Sequence, residues 1–275
     1  MSIIDAIILG IIEGITEFLP VSSTGHLTIA ERMLGYDISD PAMTAFTAFI
    51  QVGATLSTVI FFRKDIWRVI KAWVSGISGG PRQNADYRMG WAIIIGSIPI
   101  ALIGLLFKDQ IETGLRSLWF VAIGLIVWSC VMYAAERYAK QSRKESSTTW
   151  KDTLFVGVMQ CFALVPGVSR SGATISAALF KGFDRMTATR LSFFLSIPAL
   201  MAAGILQVIT RAEDIGERIG WMPTVVATIV SFVVAYAAVA WLLKYIATHS
   251  FTVFIWYRLA LGTVLVVLLG TGIIS

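Results

Sequence analysis

The chain has 275 residues, is 56% hydrophobic and only 14% charged, and has a mean hydropathy of +0.77; soluble domains run at about a quarter charged, so a water-soluble globule is excluded and an all-α polytopic membrane protein is expected, one integral domain over 1–275. The net charge of +5 does not indicate nucleic-acid binding, because the basic residues lie in short loops between apolar runs. The two cysteines, Cys130 and Cys161, fall in apolar segments, imply no disulfide framework, and read as small buried hydrophobes.

In chain order, residues 2–19 have a helical pattern but are too short and too acidic for a free span. They lack a basic start and carry Asp5, Glu13 and Glu17, which excludes a signal peptide. Leu19-Pro20 breaks this helix, Ser22-Ser23-Thr24 can cap a second, and that one ends near Gly35. Residues 2–35 are therefore expected to form a re-entrant helix pair. Spans follow at about 43–63, 89–108 and 118–138, with a basic, Gly-rich loop expected over 64–88. A polar cytoplasmic linker covers about 139–152. A second broken pair takes 153–166 and 171–182, and spans at about 188–209, 222–246 and 252–274 complete the chain. The expected architecture is six transmembrane helices plus two re-entrant helix pairs.

The halves, about 2–138 and 153–275, repeat. A shift of 147 places Gly10 on Gly157, Glu13 on Gln160, Ser22 on Ser169, Thr24 on Ser171, Gly25 on Gly172 and Phe46 on Phe193. Three spans per half is an odd number, so the topology of the repeat is inverted, with the two breaks meeting near the bilayer midplane. Loop charge orients it. One set of loops holds fifteen Lys and Arg, from Arg63 and Lys64 to Lys244; the other holds five, Arg32, Lys108, Arg116, Arg211 and Arg218. The first set belongs in the cytoplasm.

The chemistry concentrates at the breaks. Pro166 to Thr174 reads PGVSRSGAT, a helix start with a lone arginine inside an apolar setting. Irregular backbone at membrane depth lines a protein cavity, and an arginine there needs an anion or a wet pocket. Helix N–H groups beside a guanidinium suit phosphate. Arg170 is the strongest single candidate, with Ser169, Ser171 and Thr174 adding hydroxyl donors, although Thr174 also fits ordinary packing. In the first half, Gly10, Glu13, Gly14 and Glu17 share one helix face. The glycines permit close backbone approach, and the carboxylates suit a hard divalent cation, Mg²⁺ or Ca²⁺, that keeps positions for phosphate oxygens. A solvated acidic face is the alternative. His26 suits proton transfer or nucleophilic attack near neutral pH. Ser22 and Ser23 are candidate nucleophiles or phosphate ligands, with N-capping as the plainer role. Gln51, Gln160, Tyr257 and Arg258 are left as pocket lining or packing.

These strings resemble the undecaprenyl-pyrophosphate phosphatase family, also called bacitracin-resistance proteins. Its first signature stands here as EGITEFLPVSSTGH, Glu13 to His26, and its second as PGVSRSGAT, Pro166 to Thr174. The resemblance runs the length of the chain, including WYR at Arg258. It implies hydrolysis of undecaprenyl diphosphate to the monophosphate and inorganic phosphate, recycling the lipid carrier of bacterial cell-wall synthesis on the outer side of the inner membrane. Bacitracin would be a partner only indirectly, through the shared lipid, and a homodimer stays open. On this reading Arg170 with Ser169, Ser171, Thr174, Ser22 and Thr24 would hold the phosphates, and Glu13 and Glu17 a divalent cation. His26 would be nucleophile or general acid–base, with Ser23 the competing nucleophile. A polyprenyl-phosphate flippase is the rival reading, since broken-helix repeats are common in transporters.

Overall fold

The computed structural model describes residues 1–82, 84–107, 110–111 and 117–274; Lys108 and Arg116, expected in the less basic loop set, lie outside them. Among the described residues stand eleven α-helices: α1 (Ile3–Thr16), α2 (Ser23–Met33), α3 (Pro41–Phe61), α4 (Arg63–Ile77), α5 (Ala85–Leu106), α6 (Leu118–Tyr138), α7 (Trp150–Gln160), α8 (Arg170–Phe180), α9 (Arg185–Asp214), α10 (Trp221–Ile246) and α11 (Thr252–Gly270). Six of them, α3, α5, α6, α9, α10 and α11, are long and apolar enough to cross a membrane. Short polar residues start most helices as the spacing requires. Asp40 caps α3 ahead of Pro41, Asn84 caps α5, Ser117 caps α6, and Thr149 with Asp152 forms a capping box on α7.

One expectation is corrected. The stretch 64–88 is not a loop throughout: it contains α4. Its glycines gather at the helix end, where Gly79 takes φ +96°. Val69 and Gly76 are buried, with Gly76 beneath the Tyr87 ring, while Trp67, Ile70, Val74 and Ile77 stay exposed. The helix has an inward face, an outward apolar stripe and a basic edge of Lys64, Arg68 and Lys71. The cysteine reading also changes, because Cys130 is exposed and Cys161 half-buried.

The two broken pairs interlock with opposite halves. Helix α1 packs along α10, the middle span of the second half, and α7 packs along α5, the middle span of the first. Glycines permit both crossings: a Cβ on Gly10 would lie 2.6 Å from the Ala227 carbonyl oxygen, and one on Gly157 would lie 2.0 Å from that of Gly96. These are the two glycines that the 147-residue shift superposes.

Each broken pair begins and finishes at one end of the molecule. At the start of α1, Asp5 accepts a 2.7 Å hydrogen bond from Tyr36, just beyond α2; Arg218 and Asp40 join the same end. At the other end, Arg143 donates to Asp152 on α7 and to the Lys181 carbonyl after α8. Arg190 there binds Glu145 and Asp65, and Lys144 binds Asp184. The more basic loop set is thus gathered at one pole. Between the poles α8 is enclosed, with every residue from Ser171 to Leu179 buried, whereas α2 buries only Gly25, Leu27 and Glu31. The helix after the second break is therefore enclosed by protein, while the helix after the first lies nearer the surface.

Candidate active site

Each break ends on a serine with an unusual backbone. Ser22 has φ +76° and Ser169 φ +73°, conformations that L-residues with a side chain rarely adopt. Both serines cap the helix that follows, accepting from the N–H of Gly25 at 3.3 Å and of Gly172 at 3.1 Å. Both strained positions are matched by the repeat. The next residue opens the helix, and its side chain is turned inward: Ser23 in the first half, Arg170 in the second.

The two meet. The Arg170 Nη2 group donates to Glu17 Oε1 at 2.7 Å, and Ser23 Oγ donates to Glu17 Oε2 at 2.6 Å. Gln51 of α3 donates to the same oxygen at 2.9 Å. Glu17 thus holds a cation on one side and a hydroxyl on the other. The Arg170 Nε and Nη1 atoms are buried and have no partner among the described residues. A planar guanidinium with two free donors in a half-closed hollow matches the oxygens of a phosphate. By helix geometry the N–H groups of Ser23, Thr24, Arg170 and Ser171 also lack an intrahelical acceptor.

These groups line a cavity of about 470 Å³. Glu17, Ser22, Ser23, Thr24, Gln51, Ser169 and Arg170 form its polar end, while Ile100, Leu105, Pro198 and Leu206 of α5 and α9 are among those forming a long apolar side. A second cavity of about 280 Å³ shares Thr24, Gln51 and Pro166 with it and continues to Ile38, Thr44 and Ser117.

Four expected site residues stand elsewhere. Glu13 does not line the cavity; it is fully buried, and neither carboxylate oxygen has a partner among the described residues. Ser171 Oγ is spent on the Leu19 carbonyl at 2.9 Å, tying one break to the other. Thr174 Oγ1 donates to the Arg170 carbonyl and contacts Ser192 Oγ at 2.7 Å, within the α8–α9 packing. His26 turns away from the cavity. Its Nδ1 lies 2.7 Å from the Ser22 carbonyl, which only accepts, so Nε2 is the acceptor for Tyr257 Oη at 2.6 Å. The rings of His26 and Tyr257 stack at 5.6 Å. Both imidazole nitrogens are thus engaged. Gln51 gains a role that spacing alone did not give it; its only sequence signal is an amide inside an apolar span.

Residues fit a divalent cation in part. Among the described residues no group of three or more His, Cys, Asp and Glu is gathered as a metal cage. Glu13, one turn from Glu17, has both carboxylate oxygens without a partner among the described residues, which suits a hard cation, whereas both Glu17 oxygens are engaged by Arg170, Ser23 and Gln51.

Comparison with known proteins agrees with this chemistry. The family described as bacitracin resistance protein BacA matches residues 6–264. The chain is 60% identical over 276 residues to undecaprenyl-diphosphatase 3 of Frankia casuarinae, covering 100% of this chain and 99% of that one. It is 51% identical to the undecaprenyl-diphosphatase of Cutibacterium acnes, with both chains fully covered. To that of Mycolicibacterium smegmatis it is 48% identical, over 100% and 99%. With Glu17, Ser22 and Ser23 of the first signature and Ser169 and Arg170 of the second lining one hollow, and the match running nearly from end to end, the chain belongs to the bacitracin resistance protein BacA family.

Proposed function

We propose that this multi-pass membrane enzyme hydrolyses undecaprenyl diphosphate to undecaprenyl phosphate and inorganic phosphate, recycling the carrier for cell-wall synthesis and so conferring bacitracin resistance. The observation that carries the reading is Arg170. It is a near-buried guanidinium with two unpartnered donors, beside a serine hydroxyl already bonded to a carboxylate. That is the pattern of an activated nucleophile next to an anion clamp.

The diphosphate enters the polar end, its polyprenyl tail running along α5 and α9 toward lipid. Arg170 and the helix-start N–H groups of Ser23, Thr24, Arg170 and Ser171 take the phosphate oxygens, with the Ser22 and Ser169 hydroxyls beside them. Ser23 Oγ attacks the terminal phosphorus, Glu17 takes its proton, and the bridging P–O bond breaks as that proton passes to the departing lipid monophosphate. Water then attacks the phosphorus held on Ser23, giving its proton to Glu17, and the P–O bond to Ser23 breaks as Glu17 returns the proton to Ser23 Oγ and inorganic phosphate leaves. His26, bonded on both nitrogens, holds the Ser22 backbone rather than reacting. A divalent cation would be held at the cavity by Glu17, with the buried Glu13 one turn behind it adding negative charge, and would supply neutralisation of diphosphate charge.

Each broken pair begins and ends at one pole, which supports a re-entrant, inverted arrangement of the two halves. The second cavity runs toward Ile38 and Ser117, opposite the basic pole, which supports a site open to the outer side of the inner membrane. Purified protein in detergent is expected to release phosphate from undecaprenyl diphosphate, and Arg170→Ala to lower kcat/KM by about 10³-fold. Folded wild-type protein that releases none, yet moves polyprenyl phosphate between leaflets, would establish the transporter reading instead.

A further inference from the structure

Among the largest fully buried side chains is that of Arg258 on α11, and neither the hydrolytic step nor the cation uses it. No carboxylate is paired with it among the described residues. A cation buried without a counter-ion is tolerated only when hydrogen bonds fill its donors, and here all its bonds run to neutral oxygens. Nη2 donates to the carbonyls of Gly167 at 2.9 Å and Val168 at 3.0 Å. Nη1 donates to the Pro20 carbonyl at 3.4 Å, and Nε to Ser129 Oγ on α6 at 3.1 Å. Pro20 lies two residues before Ser22, and Val168 directly before Ser169. One planar fork therefore grips the backbone just upstream of both strained serines, at carbonyls that the breaks leave outside any helix ladder.

The surroundings bring the second break within reach. A Cβ on Gly124 would lie 2.5 Å from the Pro166 carbonyl oxygen, and one on Gly262 would lie 3.1 Å from that of Ala122. The break therefore rests directly on α6, and α11 closes on the same helix one turn from Arg258. We infer that Arg258 is a positioning residue that locks the two breaks tip to tip, so that Ser23 and Arg170 face one cavity. This rests on the hydrolytic reading of that cavity. Lysine cannot replace the fork, because one ammonium does not reach acceptors on two breaks and α6 at once.

The test measures kcat, KM and thermal midpoint of wild type, Arg258→Lys, Ser129→Ala, Arg170→Ala and the Arg258→Lys/Arg170→Ala double variant, rates being taken per monodisperse protein. Arg258→Lys is expected to lose about 100-fold in kcat, the scale of an ångström misplacement, with KM within about threefold. The double variant is expected to lose less than the product of the two single losses, because misplacing Arg170 costs nothing once it is gone and only the misplacement of Ser23 remains. A residue that only stabilises the fold would lower the midpoint and leave kcat unchanged. If Arg258→Lys is not monodisperse, Ser129→Ala decides: kcat is expected to fall about threefold at unchanged KM, and wild-type kcat overturns the inference. Multiplying losses in the double variant overturn it as well.

A second readout does not depend on catalysis. Spin labels on the exposed Met33 and Phe162, with Cys130 and Cys161 replaced by Ser, report the distance between α2 and the second break. Arg258→Lys is expected to shift or broaden that distance; an unchanged distribution overturns the lock. Folded wild-type protein that releases no phosphate, with the distance shifted by Arg258→Lys, would overturn the hydrolytic reading and leave the lock standing.

Discussion

Ser23 and Arg170 owe their positions to the residue before each of them. A serine at positive φ costs about 1–3 kcal/mol and is retained where the turn it makes is needed. Its hydroxyl returns part of that cost by capping the helix. At Ser169 the two effects can be separated. Ser169→Ala loses the cap and keeps the strain, while Ser169→Gly loses the cap and relieves it, so the thermal midpoint is expected to fall further for Ala than for Gly. The reverse order would mean that the backbone is not held there. Ser23→Ala, which removes the proposed nucleophile, is expected to lower kcat by at least about 10³-fold without moving the midpoint, as measured by phosphate release. The residue types of this site were legible in the sequence, because an arginine and two glutamates inside apolar runs are expensive to retain. Their division of labour was not. Glu13 and Glu17 look alike one turn apart, yet only Glu17 reaches the cavity, and His26 faces Tyr257, a residue 231 positions away.

At the scale of elements, the two breaks are organised by where α1 and α7 cross the opposite half. Gly157 has no room for a methyl group, since its Cβ would meet the Gly96 carbonyl oxygen at 2.0 Å, and that atom is backbone. Gly157→Ala is expected to destabilise the protein by about 1–3 kcal/mol and to lower the thermal midpoint. Gly270→Ala, where nothing lies within 4 Å of the added carbon, is expected to stay within about 0.5 kcal/mol. The breaks were readable from Leu19-Pro20 and Pro166-Gly167, because proline and glycine act locally. Helix α4 was not. Its charge and its terminal glycines read as a loop, and only the Tyr87 and Trp73 rings packed around Gly76 and Gly90 show what its inner face is for.

Across the whole molecule, charge divides the two poles, and the basic pole is fastened by Arg143. Burial raises the Asp152 carboxyl, but hydrogen bonds from Arg143 and Thr149 outweigh it and bring the pKa down to about 2, against an ordinary 3.8. A pKa depressed by folding adds stability above the unfolded value and loses it as pH falls through the folded one. Asp152→Asn is therefore expected to lower the thermal midpoint at neutral pH, with the gap to wild type closing as pH drops from about 4 toward 2. A gap that stays constant over that range would remove the ion pair as its cause.

The sequence alone determined the membrane class, the six spans, the two breaks and the residue types gathered at them, because each follows from hydropathy, proline and glycine acting over a few residues. Tertiary structure decided which carboxylate meets Arg170, that His26 is held by Tyr257, and that Arg258 grips both breaks. Those choices are contacts between segments 90 to 240 positions apart in the chain, and no local pattern specifies them; close packing of the helices does.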